Sequence, residues 1–219
     1  MNGMIHVPHL IRNLQNQERA IVVNSPRSLE CKMASAGIDP KSVFLKAHDA
    51  EYEAAVPQGH FRRARIRGTL SYEYDSLKQL YAIDPAVFSK PLFRIVDWED
   101  KTIGYFSEFI NGRPLVEYYH GLDGSNRSEC VAVIRSALIQ VADTIALVHS
   151  KSAAYGDFTT ENTLVTASGT RLVDPDPLGM RPFPKDRDIR DVTSLARGAL
   201  NEGILTEKEC AAIISLFRR

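Results

Sequence analysis

Apolar positions come in short clusters through the first half of this chain and recur at helical spacing through much of the second. Residues 19–24 read as a short apolar strand, ended by Asn24-Ser25-Pro26, and residues 28–33 as a second candidate strand. Gly37 and Asp39-Pro40 signal a turn, after which residues 42–47 (SVFLKA) read as a strand carrying one lysine, Lys46. Residues 71–83 (SYEYDSLKQLYAI) predict a helix. Tyr74, Leu77, Leu80 and Tyr81 share one face, Ser71 stands as N-cap, Glu73 and Asp75 lie near the positive end, and Pro85 stops the run. Residues 92–97 and 102–109 predict two strands joined by a turn at Glu99-Asp100.

Asn111-Gly112-Arg113-Pro114 breaks this pattern and reads as a hinge between two lobes, 1–110 and 111–219. Beyond it, Val131, Ile134, Leu138, Val141, Ile145 and Val148 repeat at helical spacing. A polar loop at 155–162, a short strand at 163–165, a Ser168-Gly169 turn and a strand at 171–173 follow. Residues 188–200 predict another helix. Thr206 with Glu209 fits a capping box that opens the last one. Strands with one helix first, then helices with a small hairpin, indicate an α+β fold and not alternating α/β.

Composition changes the picture mainly by exclusion. The 219 residues carry 27 Lys+Arg and 27 Asp+Glu, a formal net charge of zero, so no bulk field draws the chain to nucleic acid or to an anionic membrane. Hydrophobic residues at 44% and charged residues at 25% are those of a globular protein, which excludes extended disorder and a coiled coil. Cys31, Cys130 and Cys210 form no CxxC pair, so neither a zinc site nor a disulfide framework is expected, and reduced thiols in a cytoplasmic setting are the simplest reading. The first residues lack a secretory-signal pattern. The most apolar long segment, 131–148, is interrupted by Arg135, Gln140 and Asp143 and is read as a helix that does not span a membrane. A substrate at a membrane surface stays compatible with this.

The candidate chemistry sits in Tyr155-Gly156-Asp157-Phe158-Thr159-Thr160-Glu161-Asn162 and in Leu172-Val173-Asp174-Pro175-Asp176. An acid is followed five residues later by an asparagine, and a second acid ends the next hairpin twelve residues after that. Phosphoryl transfer needs such a set. One carboxylate orients or deprotonates the accepting hydroxyl, while an amide oxygen and a second carboxylate, both hard donors, suit magnesium.

GDFTTEN followed by LVDPD resembles the catalytic and metal-binding loops of the protein-kinase-like superfamily, which includes aminoglycoside and sugar phosphotransferases. The resemblance covers roughly residues 46–200 and is most specific over 155–176. It implies a two-lobed fold with a small antiparallel-sheet N-lobe and a short helical C-lobe, binding ATP and Mg²⁺ between them. Asp157 matches the catalytic aspartate, Asn162 the metal-binding asparagine, and Asp174 the metal-binding aspartate that begins the DFG motif. Lys46 in VFLK resembles the strand lysine that contacts nucleotide phosphates, and Glu73 the helix glutamate that pairs with it. Residues 107–112, Glu108 among them, stand where the family places its adenine-contacting hinge.

The sequence also departs from the family. Tyr155 replaces the usual histidine, Pro175 and Asp176 replace the Phe and Gly of DFG, and Gly37 is the lone glycine between Arg19 and Lys46, where a Gly-rich loop would lie. No A-P-E motif occurs, and 45 residues follow Asp174, which reads as a minimal member. Two subgroups are similar. The Kdo and heptose kinases of lipopolysaccharide core share the features seen here as the basic run 62–67, Glu73-Tyr74 and Asp174-Pro175-Asp176. The small atypical Ser/Thr kinases of the RIO type and of the tRNA-modification complex often read GDLTTSN.

Blander readings stand beside these. Lys46 is also an ordinary strand lysine, Glu73 a helix N-terminal charge, and Asp176 a turn cap. Arg62, Arg63, Arg65 and Arg67 read first as a solvated face, although Arg63, Arg65 and Arg67 would share one side of a strand and suit an anionic acceptor. His149 reads as a helix-end partner. Asp188 or Asp191 either braces the catalytic loop through its backbone amides or is a helix N-terminal charge. The expected activity is transfer of the ATP γ-phosphoryl group to a hydroxyl, slightly favouring a lipopolysaccharide core sugar or other small acceptor over a protein Ser/Thr. The competing class is a pseudokinase that binds nucleotide or a partner. Nucleic-acid binding through the arginine run is disfavoured because no aromatic platform accompanies it.

Overall fold

The computed structural model describes residues 12–14, 18–64, 69–175 and 184–217. The chain divides into two compact units, Met1–Tyr74 with Lys90–Phe109, and Asp75–Ser89 with Ile110–Arg219. The boundary at 109/110 lies beside the one read from Asn111-Gly112, while residues 75–89 group with the second unit.

The first unit is built on a six-stranded sheet of β1 (Arg12–Leu14), β2 (Glu18–Val22), β3 (Val43–Ala47), β4 (Phe61–Arg63), β5 (Pro91–Val96) and β6 (Thr102–Glu108), in the order β1-β2-β5-β6-β3-β4. The sheet is mixed: β2 runs parallel to β5 and β3 parallel to β4. This corrects the expectation of an antiparallel sheet. The sequence between β2 and β3 forms a helix, α1 (Pro26–Ser35), so β2 has no hairpin partner downstream and pairs with the distant β5 instead.

Residues 28–33, expected as a strand, lie within α1. Glu30 and Lys32 mimic a period of two, but Leu29 and Met33, four apart, are the buried pair. Ser25 caps the helix by accepting from the Ser28 amide, and Pro26 occupies the first turn, where its missing N–H costs nothing. Gly37, at φ +66°, follows the end of α1 and suits the left-handed turn that closes the helix. Ile21, Leu29, Met33, Leu45, Ile95 and Phe106 form this unit's core.

The helix α2 (Leu70–Ile83) starts one residue before Ser71. Ser71 is therefore not its N-cap; its hydroxyl accepts from Arg94. In the second unit, Arg113–Pro114 forms a short strand, β7, which pairs antiparallel with β8 (Thr163–Thr166); β8 pairs with β9 (Gly169–Leu172). The second half of the segment read as a hinge, Arg113–Pro114, is thus a paired strand. A Cβ at Gly112 would approach Leu164 and Thr166 to 2.9 Å, which explains the glycine. The helices are α3 (Leu115–His120), α4 (Arg127–Ser150), α5 (Pro184–Asn201) and α6 (Glu207–Ser215).

By length and composition α4 is apolar enough to cross a membrane. Its stripe Ile134, Leu138, Val141, Ile145 and Val148 is nonetheless buried with Phe88, Tyr155, Phe158, Leu172, Val192 and Ala196 in the core of this unit. The capping box at Thr206 and Glu209 forms as read.

Candidate active site

Two clusters of the expected residues form. The first is in the first unit. Successive side chains of β3 alternate between faces, so Val43, Leu45 and Ala47 enter the core and Lys46 is left on the other face. There Lys46 is buried all the same. Its Nζ stands 2.7 Å from Glu73 Oε2 in the first turn of α2, each side chain only 9% exposed. Thr69 donates its hydroxyl to Glu73 Oε1 at 2.7 Å. Oε2 meets Lys46 as a charge contact, without the alignment of a hydrogen bond. A buried pair of this kind contributes little net stability, because desolvation offsets the attraction. Its position suits a cation kept ready for an anionic ligand.

Glu108 is exposed at the end of β6. Its carboxylate accepts from the Lys90 amide at 3.4 Å, and its own amide donates to the Lys90 carbonyl at 2.8 Å. Arg62 and Arg63 are exposed on β4, with Arg63 donating to the His48 carbonyl. Arg65, Arg67 and Asp176 lie outside the described residues.

The second cluster, in the second unit, is the loop 155–162. Asp188 of α5, wholly buried, accepts from the amides of Tyr155 (2.9 Å) and Gly156 (2.7 Å) and from His149 Nε2 (3.0 Å). Of the two aspartates read as possible braces, Asp188 is therefore the one that holds the loop. His149 at the end of α4 is its partner, with the proton placed on Nε2 by the carboxylate it faces. Gly156 sits at φ +85°, a turn for which glycine is suited. Tyr155 is fully buried and donates its hydroxyl to the Val173 carbonyl beside Asp174.

Asp157 and Asn162 are brought together. Asn162 Nδ2 donates to Asp157 Oδ2 at 2.9 Å and to the Asp157 carbonyl at 3.2 Å. Asn162 is 2% exposed and is fixed along its backbone as well: its amide donates to Thr159 Oγ1, and its carbonyl accepts from Val173 at 3.0 Å. The β8–β9 register, Thr163 opposite Leu172, thereby sets Asn162 beside the segment that enters Asp174. Asp174 has φ +59°, a left-handed conformation shared with Asp100 and Ser152 and one that aspartate adopts more readily than most residues.

One member of the cluster went unread in the sequence. Arg187, in the first turn of α5, donates to Asp157 Oδ1 at 2.5 Å and lies 3.7 Å from Asp191. Asp191 is pushed up from the ordinary carboxylate range by burial, with Arg187 and Arg190 opposing. No residue-type motif marks such an arginine in advance. The available signal is that it directly precedes Asp188.

Asn162 and Asp174 suit magnesium by donor chemistry. The asparagine nitrogen is committed to Asp157, so its oxygen is the atom a cation would take, and the Asp174 carboxylate is a second hard donor. Among the described residues no group of three or more His, Cys, Asp or Glu forms a metal cage. Magnesium seldom needs one, since phosphate and water complete its shell. No protein-family model matches this chain, and no curated protein matches it in sequence.

Proposed function

We propose that this chain is an ATP-dependent phosphotransferase that moves the γ-phosphoryl group to a hydroxyl. The favoured acceptor is a small hydroxyl compound, such as a lipopolysaccharide core sugar. The observation that carries the reading is the braced loop: Asp188 fixes Tyr155 and Gly156, Asn162 holds Asp157, and the hairpin that follows delivers Asp174 in a left-handed conformation. In this reading Asp157 orients the acceptor hydroxyl and takes its proton. Asn162 and Asp174 hold Mg²⁺, which when bound offsets phosphate charge. Lys46, kept in place by Glu73, supplies a further positive charge for the phosphates. Most of the rate enhancement would then come from positioning and electrostatic stabilisation.

A second reading, a nucleotide-binding module without transfer, draws on one observation: both oxygens of Asp157 already have donors. Thermal unfolding with ATP, with and without Mg²⁺, separates these readings from a chain that binds no nucleotide. A ligand specific to the folded state raises Tm by mass action. A Mg-dependent rise is expected in the wild type and in Asp157→Ala, and its loss in Asp174→Ala. Phosphotransfer is expected in the wild type and absent in Asp157→Ala. Absence of any Mg-ATP shift in the wild type would overturn both readings, and a shift without transfer to any hydroxyl would favour the binding module.

A further inference from the structure

We infer that the outer face of α4 binds a second copy of this chain, with the two helices antiparallel about a two-fold axis at Ile139. This contact is independent of the phosphotransfer reading. The helix has two faces. One, with Ile134, Leu138, Val141 and Ile145, enters the core of the second unit. On the opposite side Ala132, Arg135, Ile139 and Asp143 are exposed and Ala146 is half-buried. Steps of three and four residues bring these side chains back to one side of the helix. Ile139, at the middle of the run, is an apolar side chain left 37% exposed.

The order along this face is Ala-Arg-Ile-Asp-Ala, which reads the same in either direction except that Arg and Asp exchange. Ser128 and Ser150, four residues further out at each end and exposed, continue the symmetry. A two-fold contact requires a self-complementary surface, in which one residue meets a second across the axis and the second meets the first. At about 1.5 Å of rise per residue, Arg135 and Asp143 stand about 6 Å to either side of Ile139. With the axis at Ile139, Arg135 of each copy is therefore level with Asp143 of the other, Ala132 with Ala146, Ser128 with Ser150, and Ile139 with itself. A parallel pairing would set arginine level with arginine and aspartate with aspartate, so the charges select the antiparallel one. The small side chains at the outer levels let the helices approach closely, while the two Ile139 side chains cover one another at the centre.

Both charged groups are poised for this contact. The Arg135 guanidinium donates to Glu209 Oε1 of α6 through Nε, at 2.7 Å, and through Nη2, which commits one edge of its fork. A guanidinium carries five N–H donors, so its other edge can take a second carboxylate. The Asp143 carboxylate has no hydrogen-bond or ion-pair partner among the described residues. Arg135 of its own helix lies about 12 Å away along the axis, out of reach. In the dimer each Arg135 bridges Glu209 of its own chain and Asp143 of the second copy.

The test is sedimentation equilibrium of the full chain over a range of concentrations. The wild type is expected to pass from the mass of one chain to that of two, and a single-chain mass maintained to millimolar concentration overturns the inference. Arg135→Asp sets aspartate against aspartate across the axis, and Asp143→Arg sets arginine against arginine. Each variant alone is expected to dimerise about tenfold more weakly than the wild type, because both pairs turn from attraction to repulsion. Mixed in equal amounts, the two variants are complementary at both levels and are expected to pair with each other. Single variants that dimerise like the wild type place the contact on another face, and a mixture that stays monomeric removes the antiparallel axis; either result overturns the inference. If Arg135→Asp does not fold, crosslinking decides. In a Cys31→Ser background, which removes an exposed thiol, Ile139→Cys meets its own copy at the axis and is expected to give a disulfide-linked dimer. Ser150→Cys, about 17 Å along the helix from the axis, is expected to give none. Absent or equal crosslinking at the two positions overturns the dimer.

Discussion

The Lys46–Glu73 pair poses a question about single residues, namely why a lysine and a glutamate are buried where apolar side chains would serve stability as well. Both side chains are 9% exposed, and removing Lys46 leaves the Glu73 carboxylate buried without its cation. Lys46→Met is therefore expected to destabilise the protein by about 3 kcal/mol, whereas the double variant Lys46→Met/Glu73→Leu returns to about wild-type stability. Urea denaturation of the two single variants and the double variant measures both. If the pair exists for a phosphate ligand, the double variant keeps its stability yet loses the Mg-ATP-dependent rise in Tm. A double variant that retains this rise would assign the pair to structure alone.

At the scale of elements, α5 organises the second cluster through its first turn, with Asp188 accepting three hydrogen bonds from α4 and the loop. Asp188→Asn swaps one acceptor oxygen for a donor facing donors. A loss of about 3–5 kcal/mol is expected by chemical denaturation, with faster hydrogen exchange at the Tyr155 and Gly156 amides. Unchanged exchange there would show the loop is braced elsewhere. The N-terminus of α6 carries a pH signature. The Thr206 amide and hydroxyl, with Arg135, hold Glu209 down from 4.5 to about 2. The folded pKa is the lower, so this contribution is complete above about 4.5 and is lost as pH falls towards 2. Tm of Glu209→Gln should accordingly fall less steeply over that window than the wild type's. Much of this level was legible in sequence. The α4 stripe, the capping box and the hairpin before Asp174 follow from local spacing and turn chemistry. The α1 helix was misread because Glu30 and Lys32 alternate with apolar neighbours, although Ser25-Pro26 and the Leu29–Met33 spacing favoured a helix. The parallel pairing of β2 with β5 is a long-range choice with no local mark. The Asp157–Asn162 contact was legible because the two lie five residues apart in one loop. Arg187 was not, because its partner is thirty residues away in sequence.

For the molecule as a whole, the 27 basic and 27 acidic residues cancel, so at neutral pH no net field reaches far into solvent. If the chain binds a charged ligand as proposed, recognition arises at short range, from groups such as Lys46 that are mostly shielded from salt. The screening length falls from about 30 Å at 0.01 M to about 8 Å at physiological ionic strength, so added salt strips long-range steering but leaves close contacts nearly intact. The association rate of Mg-ATP, measured by stopped flow with a fluorescent analogue, is accordingly expected to change by less than about threefold between low and physiological salt, against the steep fall seen with steered ligands. A steep fall would show that a local basic patch does the steering. The exposed Arg62 and Arg63 of β4 are the first to test, since Arg62→Ala/Arg63→Ala should then flatten the salt dependence while leaving the dissociation rate unchanged.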